Sequence, residues 1–383
     1  MKILHIADLH IGKRVNGFNM IEDQEYILDE ILKLTESTKP GAVLMAGDIY
    51  DKSQPSTEAV ELLDEFLTRL ALLGQPVFII SGNHDSPERL SFGSRIMENN
   101  GLHISGVFDG FLQKTTLEDE YGKVNIYMLP FIKPAMVRPF FEEPVESYEE
   151  AIKMVISESG INTDERNILV AHQFVVSGMA QPQISDSETV SIGGLDHVDA
   201  SVFDDFDYVA LGHLHRSQRI GRDCIRYAGS PLKYSFSEAR YRKSVTLVEM
   251  GRKGEILIDQ IPLTPLRDLR EIRGPIRELI RIGNEDPKGS MDYIHAIITD
   301  EEEIYDALGQ LRQVYPNLMA LDLENSRTQQ VYDSEALVAS NVAEKDPLDL
   351  FSEFYQIQNN QELTEDEIRV MKEIFQQAGG IGI

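Results

Sequence analysis

At 383 residues the chain is longer than one ordinary domain, and a composition 42% apolar and 26% charged is that of a folded globular protein. No apolar run nears the roughly 18 residues that span a bilayer, no signal-peptide pattern opens the chain, and a lone cysteine, Cys224, excludes an internal disulfide, so a cytoplasmic protein is expected. A formal charge of −28 excludes a protein that coats nucleic acid by charge alone.

From Met1 to about Leu263, short apolar runs of strand length alternate with amphipathic segments, the rhythm of a layered α/β domain. The runs are Ile3 to Ala7, Ala42 to Ala46, Val77 to Ile80, Val124 to Leu129, Ile168 to Ala171 and Tyr208 to Leu211. Ile21 to Leu34 and Thr57 to Leu73 have helical spacing, the second stopping at Gly74, and Ser86 before Pro87 predicts an N-cap opening a further helix. Ser244 to Met250 and Glu255 to Leu263 predict a hairpin around Gly251 and Gly254. Residues 1–264 are therefore assigned to one large domain. Residues 265–324 follow the order strand, helix, strand, helix, strand, with a helix expected from Glu302 to Val314, and predict a small α+β domain. Residues 325–345 predict a polar linker. Residues 346–383 predict two short helices, one bearing Leu348, Phe351 and Tyr355, the other opened by a capping box of Thr364 and Glu367 and bearing Ile368, Met371 and Phe375. These stripes need a surface, either on the chain itself or on a partner.

The chemistry lies where strands end. Five runs lead directly into residues able to bind a metal: Asp8 and His10; Gly47 and Asp48; Gly82, Asn83, His84 and Asp85; His172; then Gly212, His213 and His215. Ligands collect outside the carboxyl ends of strands in open α/β sheets, so these loops can converge. Gly47, Gly82 and Gly212 allow sharp turns and close backbone approach. Asp8 with His10, and His213 with His215, stand two residues apart, so extended backbone would point each pair the same way. Two aspartates, one asparagine and four histidines are too many ligands for one ion that must also hold substrate, which implies two. Mixed carboxylate, amide and imidazole ligation suits manganese, iron, zinc or magnesium. Two ions about 3.5 to 4 Å apart can clamp the attacking and leaving oxygens of a phosphoryl displacement. His5, His103, His197 and His295 lack this context and are read as structural or solvated. Between His213 and Lys243 lie eight basic residues against two acidic, which is either a solvated loop face or a phosphate-binding one.

Asp-x-His, Gly-Asp, Gly-Asn-His-Asp, His and Gly-His-x-His together resemble the signature of the calcineurin-like metallophosphoesterase superfamily. More narrowly, HIADLHIGKR, AGDIYDKSQPS, ISGNHDSPERL, LVAHQFVVSG, VALGHLHRSQ and YAGSPLKYSFSE resemble the nuclease subunits of bacterial SbcCD complexes, over nearly the whole chain. The resemblance implies an α/β fold: a layered β-sandwich core flanked by helices, a capping domain that presents DNA, and a helical tail. It implies that Asp8, His10, Asp48 and His215 hold one ion and Asp48, Asn83, His172 and His213 the other, with Mn2+ expected and Mg2+ the alternative. His84 would be the acid that protonates the leaving oxygen, its plainer reading being a supporting histidine. Archaeal and eukaryotic relatives carry a second histidine where this chain has Asp51, so Asp51 is expected to orient His84 or a water, and Asp85 to support the loop.

The implied activity is double-strand exonuclease and single-strand or hairpin endonuclease in DNA repair, recombination and replication. It depends on ATP, yet the chain has no phosphate-binding Gly-x-x-x-x-Gly-Lys-Ser/Thr loop, so no nucleotide is expected on it. An SbcC-type coiled-coil ATPase would supply ATP turnover and receive the two C-terminal stripes. A homodimer within a heterotetramer, and no membrane, complete the expectation. The rival reading is a metallophosphatase or cyclic-nucleotide phosphodiesterase on a non-DNA substrate, for which the capping domain and tail would be superfluous.

Overall fold

The structure is a computed structural model and describes residues 1–178, 181–188, 196–302 and 304–325, with positions 348, 351, 352, 355, 363, 364 and 367–371. Alternation along the strands sets the architecture. In Lys2–Ile6 and Ala42–Ala46, the residues Ile3, Ala42, Leu44 and Ala46 face one way and Leu4, Ile6, Val43 and Met45 the other, all of them buried. A sheet apolar on both faces must be covered on both. The first set packs on Val124, Ile126, Ile168, Val170, Tyr208 and Ala210 of a second sheet. The second set packs under the helices Ile21–Thr38 and Thr57–Leu73 through Ile27, Ile31, Leu63, Phe66 and Leu70. The far face of the second sheet is covered by the helix Tyr148–Ser157 through Ala151, Ile152 and Val155. The layers run helix, sheet, sheet, helix.

The first sheet has the order Ile256–Pro262, Ser244–Met250, Lys2–Ile6, Ala42–Ala46, Val77–Ile80, Leu102–Ser105; the last four are parallel and the first two form the predicted hairpin. The second has the order Gln218–Ile220, Arg222–Tyr227, Tyr208–Gly212, Arg166–His172, Gly122–Leu129, Gln113–Asp119, with four parallel strands between antiparallel edges. All five ligand-bearing strands lie in the parallel stretches, so their carboxyl ends open on one rim.

A three-stranded parallel sheet of Leu269–Gly274, Tyr293–Ile298 and Leu318–Leu323 follows, with its own core of Ile276, Leu279, Ile294, Ile298, Leu311 and Tyr315. One buried carboxylate is among its ties to the larger body. Asp23, fully buried, accepts from Arg267 Nε at 3.1 Å, from the same guanidinium at 2.8 Å and from the Tyr293 hydroxyl at 2.6 Å, while Leu269 and Tyr293 pack into the larger core.

Local capping accounts for where helices start and stop. Ser56 Oγ accepts from Ala59 N at 3.3 Å, and Gly74 closes the helix Thr57–Leu73 at φ 82°. Ser86 differs from expectation: it caps no backbone amide, its hydroxyl donating to Glu88 Oε2 at 3.2 Å, and the helix it precedes is the single turn Pro87–Leu90. The helix expected from Glu302 starts only at Ala307, because Asp306 adopts φ 47° and its carboxylate caps Gly309 N at 3.1 Å. Leu348, Phe351 and Tyr355 are helical and half-buried, as are Ile368 and Met371 beyond the Thr364 and Glu367 capping pair. The Tyr355 hydroxyl reaches Glu367 Oε1 at 3.4 Å. Phe375, and the linker expected beyond Asn325, lie outside the described residues. Among the described residues no helix is long and apolar enough to cross a membrane.

The edges of the two sheets are clasped by Arg166, which is buried. It donates to both Asp119 oxygens, to the carbonyls of Gly122 at 2.6 Å and Lys123 at 3.3 Å, and to Gly251 at 2.9 Å, the last on the other sheet's hairpin. Arg166→Met should cost about 3 kcal/mol in urea unfolding, since three carbonyls lose this donor and Asp119 is left with only the N-terminal ammonium and the Tyr121 amide; a loss below about 1 kcal/mol would show that the clasp is idle.

Candidate metal centre

Where the parallel strands end, the two sheets almost touch. His172, the last residue of its strand, donates Nδ1–H to the Ala46 carbonyl of the other sheet at 2.8 Å. A Cβ on Gly212 would stand 1.9 Å from that same carbonyl, one on Gly47 2.4 Å from His172 Nδ1, and one on Gly82 2.1 Å from Asp48 Oδ1. The three glycines are thus there for closeness, as the sequence suggested.

The backbone of the ligands themselves corrects one expectation. Asp8, His10, Asp48 and His213 have φ of 54°, 45°, 49° and 107°, so their side chains converge from left-handed turns and not from extended alternation. Hydrogen bonds hold these unfavourable turns: Asp8 N to Gly47 O at 3.1 Å, His10 N to Asp48 O at 2.9 Å and His213 N to Asp8 Oδ1 at 2.8 Å.

All seven expected ligands meet. Asp8, His10 and His215 form one group, with the two Nε2 atoms 3.0 Å apart. Asn83 Oδ1 lies 3.0 Å from both His172 Nε2 and His213 Nδ1, forming a second. Between them, Asp48 Oδ2 stands 3.4 Å from His172 Nε2 and 3.6 Å from His10 Nε2. Asp8 Oδ2 is buried with no hydrogen-bond partner. A buried carboxylate oxygen without a donor is costly unless a cation completes it, and hard oxygen with imidazole nitrogen suits a divalent ion.

The electrostatics suit three of the four imidazoles to an ion, while Asp8 and His172 each favour a proton that an ion would displace. Burial holds His10 well below the ordinary imidazole range, pushes His213 down to about 3 and lowers His215, leaving neutral rings with lone pairs to offer. Burial raises Asp8 well above the carboxylate range, helped by the charge on Asp48. Burial also opposes charge on Asp48 and His172, but each overcomes it through the other, so that Asp48 sits well below its usual range and His172 rises to about 9.

His84 sits at the rim. Its backbone N–H donates to Asp48 Oδ1 at 2.9 Å, its Nδ1 to the Asp51 carbonyl at 3.0 Å, and its Nε2 lies 4.0 Å from Asp48 Oδ2. Asp51 does orient His84, through its main chain; its carboxylate instead pairs with Lys13 at 2.7 Å and lies 3.6 Å from His10 Nδ1. Asp85 accepts from the amides of Ile49, Tyr50 and Gly82 at 3.1, 2.9 and 2.8 Å, which locks the Gly-Asp loop to the Gly-Asn-His-Asp loop. Of the histidines set aside, His5 bonds the Tyr208 hydroxyl, His103 and His197 stack on Phe78 and Phe174, and His295 pairs with Asp322.

An outer layer was not visible in the sequence. His215 Nδ1 contacts Ser187 Oγ at 2.7 Å, and that hydroxyl donates to Glu238 Oε1 at 2.7 Å, which fixes the tautomer leaving Nε2 free for an ion. Glu238 pairs with the buried Lys243, whose ammonium also donates to the His215 carbonyl at 2.7 Å, and Glu188 takes the His215 amide. Gln24 Nε2 donates to the His10 carbonyl at 2.7 Å and the Tyr234 hydroxyl to that of Leu9 at 2.5 Å. Nothing local marks Ser187 or Gln24, because each acts on a motif far away in sequence.

Family models and a curated relative place the chain among known proteins. Residues 1–217 match the calcineurin-like phosphoesterase family, and residues 265–359 the family described as type 5 capsule protein repressor C-terminal domain. A curated relative from Staphylococcus epidermidis, a nuclease subunit of SbcCD, is 35% identical over 98% of this chain and 98% of its own length. Among solved structures, a dimetal phosphatase from Danio rerio shares 12% identity over 68% of this chain and 95% of its own, with a TM-score of 0.41. The phosphopantetheinyl hydrolase from Mycobacterium tuberculosis shares 14% over 60% and 90%, with a TM-score of 0.36. The chain is a metal-dependent phosphoesterase of the calcineurin-like class. Within that class it belongs to the family of SbcCD nuclease subunits.

Burial opposes ionisation of Glu238, yet Lys243 outweighs it and holds the carboxyl well below its usual range. A depressed carboxylate stabilises above its unfolded value of about 4.3 and loses that contribution as pH falls through it. Glu238→Gln should therefore cost about 3 kcal/mol at pH 7, with the gap to wild type narrowing below about pH 4 in urea unfolding. It should also weaken divalent-metal affinity about 10- to 100-fold by calorimetry. An equal gap at both pH values would rule out the ionic account.

Proposed function

We propose that this chain is the metal-dependent DNA nuclease component of a complex with an SbcC-type coiled-coil ATPase, acting as a double-strand exonuclease and single-strand or hairpin endonuclease in DNA repair and recombination. The observation that carries the reading is the convergence of seven candidate ligands, two of them buried carboxylates, in a chain matched over 98% of its length by an SbcCD nuclease subunit. Two Mn2+ ions are the proposed cofactor and the cytoplasm the proposed location.

Bound ions would neutralise the phosphodiester and lower the pKa of a water held between them. Asp8, His10, Asp48 and His215 would hold one and Asp48, Asn83, His172 and His213 the other. With Nδ1–H committed to the Asp51 carbonyl, His84 offers Nε2 as its only exchangeable proton site, and its half-exposed ring reaches the rim where a leaving oxygen departs. Neutral His10, His213 and His215 donate lone pairs without a proton to lose first. The buried sheet contact behind them excludes water from the far side of the site.

His84→Ala should retain two equivalents of manganese by calorimetry yet lose about 100-fold or more in kcat on an end-labelled duplex. Unchanged turnover would sink the acid role, and lost metal would make His84 a ligand. The C-terminal stripes of Leu348, Phe351 and Tyr355 and of Ile368, Met371 and Phe375 are the proposed ATPase contact. A chain ending at Asn341 should bind manganese normally and fail to co-purify with the ATPase; retained co-purification would place the contact elsewhere. Self-association into a homodimer is proposed for the large domain, where Phe92 and Ile96 are exposed to 83% and 73%.

A further inference from the structure

Of the eight basic residues from His213 to Lys243, four are paired with carboxylates, three share a recess, and Arg226, its Nε buried, belongs to neither group. Arg219 pairs with Asp223, Arg222 with Asp204 at 3.4 Å, Lys233 with Asp268 at 2.8 Å and Lys243 with Glu238. Arg216, Arg240 and Arg242 have no carboxylate partner among the described residues, and all three line one recess of about 240 Å3, together with Ser217, Gln260 and the metal-centre residue His215. Among the described residues no carboxylate lines it, in a chain carrying −28. Three uncompensated guanidiniums converging on one hollow repel one another, which an anion would relieve.

The recess is also ordered before anything binds. The Arg216 guanidinium stacks on the Tyr241 ring with 4.1 Å to the centroid, which fixes its plane and leaves its N–H edge free. Gln260 Nε2 is held to Ser217 Oγ at 2.6 Å. Arg240 and Arg242, on either side of Tyr241 in the chain, are exposed. Paired N–H groups of arginine match the oxygens of a phosphodiester. Arg216 follows His215 in the chain, so the recess sits one residue from the metal centre. Arg242 also borders the seam with the small C-terminal sheet, near Lys233 and Arg267.

We infer that this recess binds a backbone phosphate of the nucleic acid strand being cut, away from the scissile bond, and so fixes the strand's course from the metal centre toward the seam. The inference rests on the nuclease reading above. The test is steady-state cleavage of a labelled duplex with manganese by the full chain, over a range of salt, for wild type, Arg240→Gln/Arg242→Gln and Arg219→Gln/Arg222→Gln. The two variants remove the same charge. The first should raise KM about tenfold or more while kcat holds, and lower the slope of log kcat/KM against log salt by about 2. The second, taking charge from residues already paired, should leave both constants near wild type. Equal losses in both variants would reduce the effect to bulk charge, and no loss in the first would remove the subsite; either overturns the inference while the nuclease reading stands. Wild type that turns over bis-p-nitrophenyl phosphate but no DNA would overturn both.

Discussion

The bond between His172 Nδ1 and the Ala46 carbonyl joins the two sheets at the point where their strands end, and the rest of the site depends on how close that contact is. Only glycine fits at 47, 82 and 212: Gly212 meets the Ala46 carbonyl of the other sheet, Gly47 the His172 ring and Gly82 the neighbouring Asp48. The closeness brings ligands from five strand ends within reach of one another and shuts water out behind them. It also makes the site difficult for the protein to hold in isolation, since two carboxylates and four imidazoles share a dry volume. Burial settles the imidazoles of His10, His213 and His215 as neutral bases and drives Asp8 toward its protonated form, while Asp48 stays ionised against His172. Such a set of donors is completed by added positive charge.

Much of this was legible in the sequence for a simple reason. Each ligand follows a strand of near-continuous apolar residues, and a strand buried on both faces leaves a plain mark: Ala42–Ala46 and Val77–Ile80 fall where the apolar runs predict. The ligands of a parallel sheet must lie just after such runs. What the sequence did not carry is backbone conformation and long-range support. Two-residue spacing suggested extended backbone, yet Asp8 and His10 sit at positive φ, a conformation imposed by bonds to Gly47 and Asp48 some forty residues away. Ser187 and Glu238 reach His215 across comparable gaps, and Asp306 halves a helix that its apolar pattern would have begun earlier.

The division of charge follows from the same organisation. An acidic chain presents little surface that attracts a polyanion, so attraction is confined to where cations are gathered: the metal centre, and the guanidiniums of the stretch beside it that no carboxylate neutralises. Much of the stretch is already committed to holding the fold. Lys243, at the inner wall of the recess, is committed through its ammonium to the His215 carbonyl and to Glu238.

His84 takes its orientation from the carbonyl of Asp51 and not from that residue's side chain. A peptide carbonyl is present whatever amino acid stands there, so the alignment of the rim histidine is indifferent to the side chain at position 51. That leaves the position open to variation: another side chain, or a carboxylate as here, can occupy it while His84 keeps its place. The charge set beside Lys13 and His10 at this position can therefore change without the alignment of His84 being rebuilt.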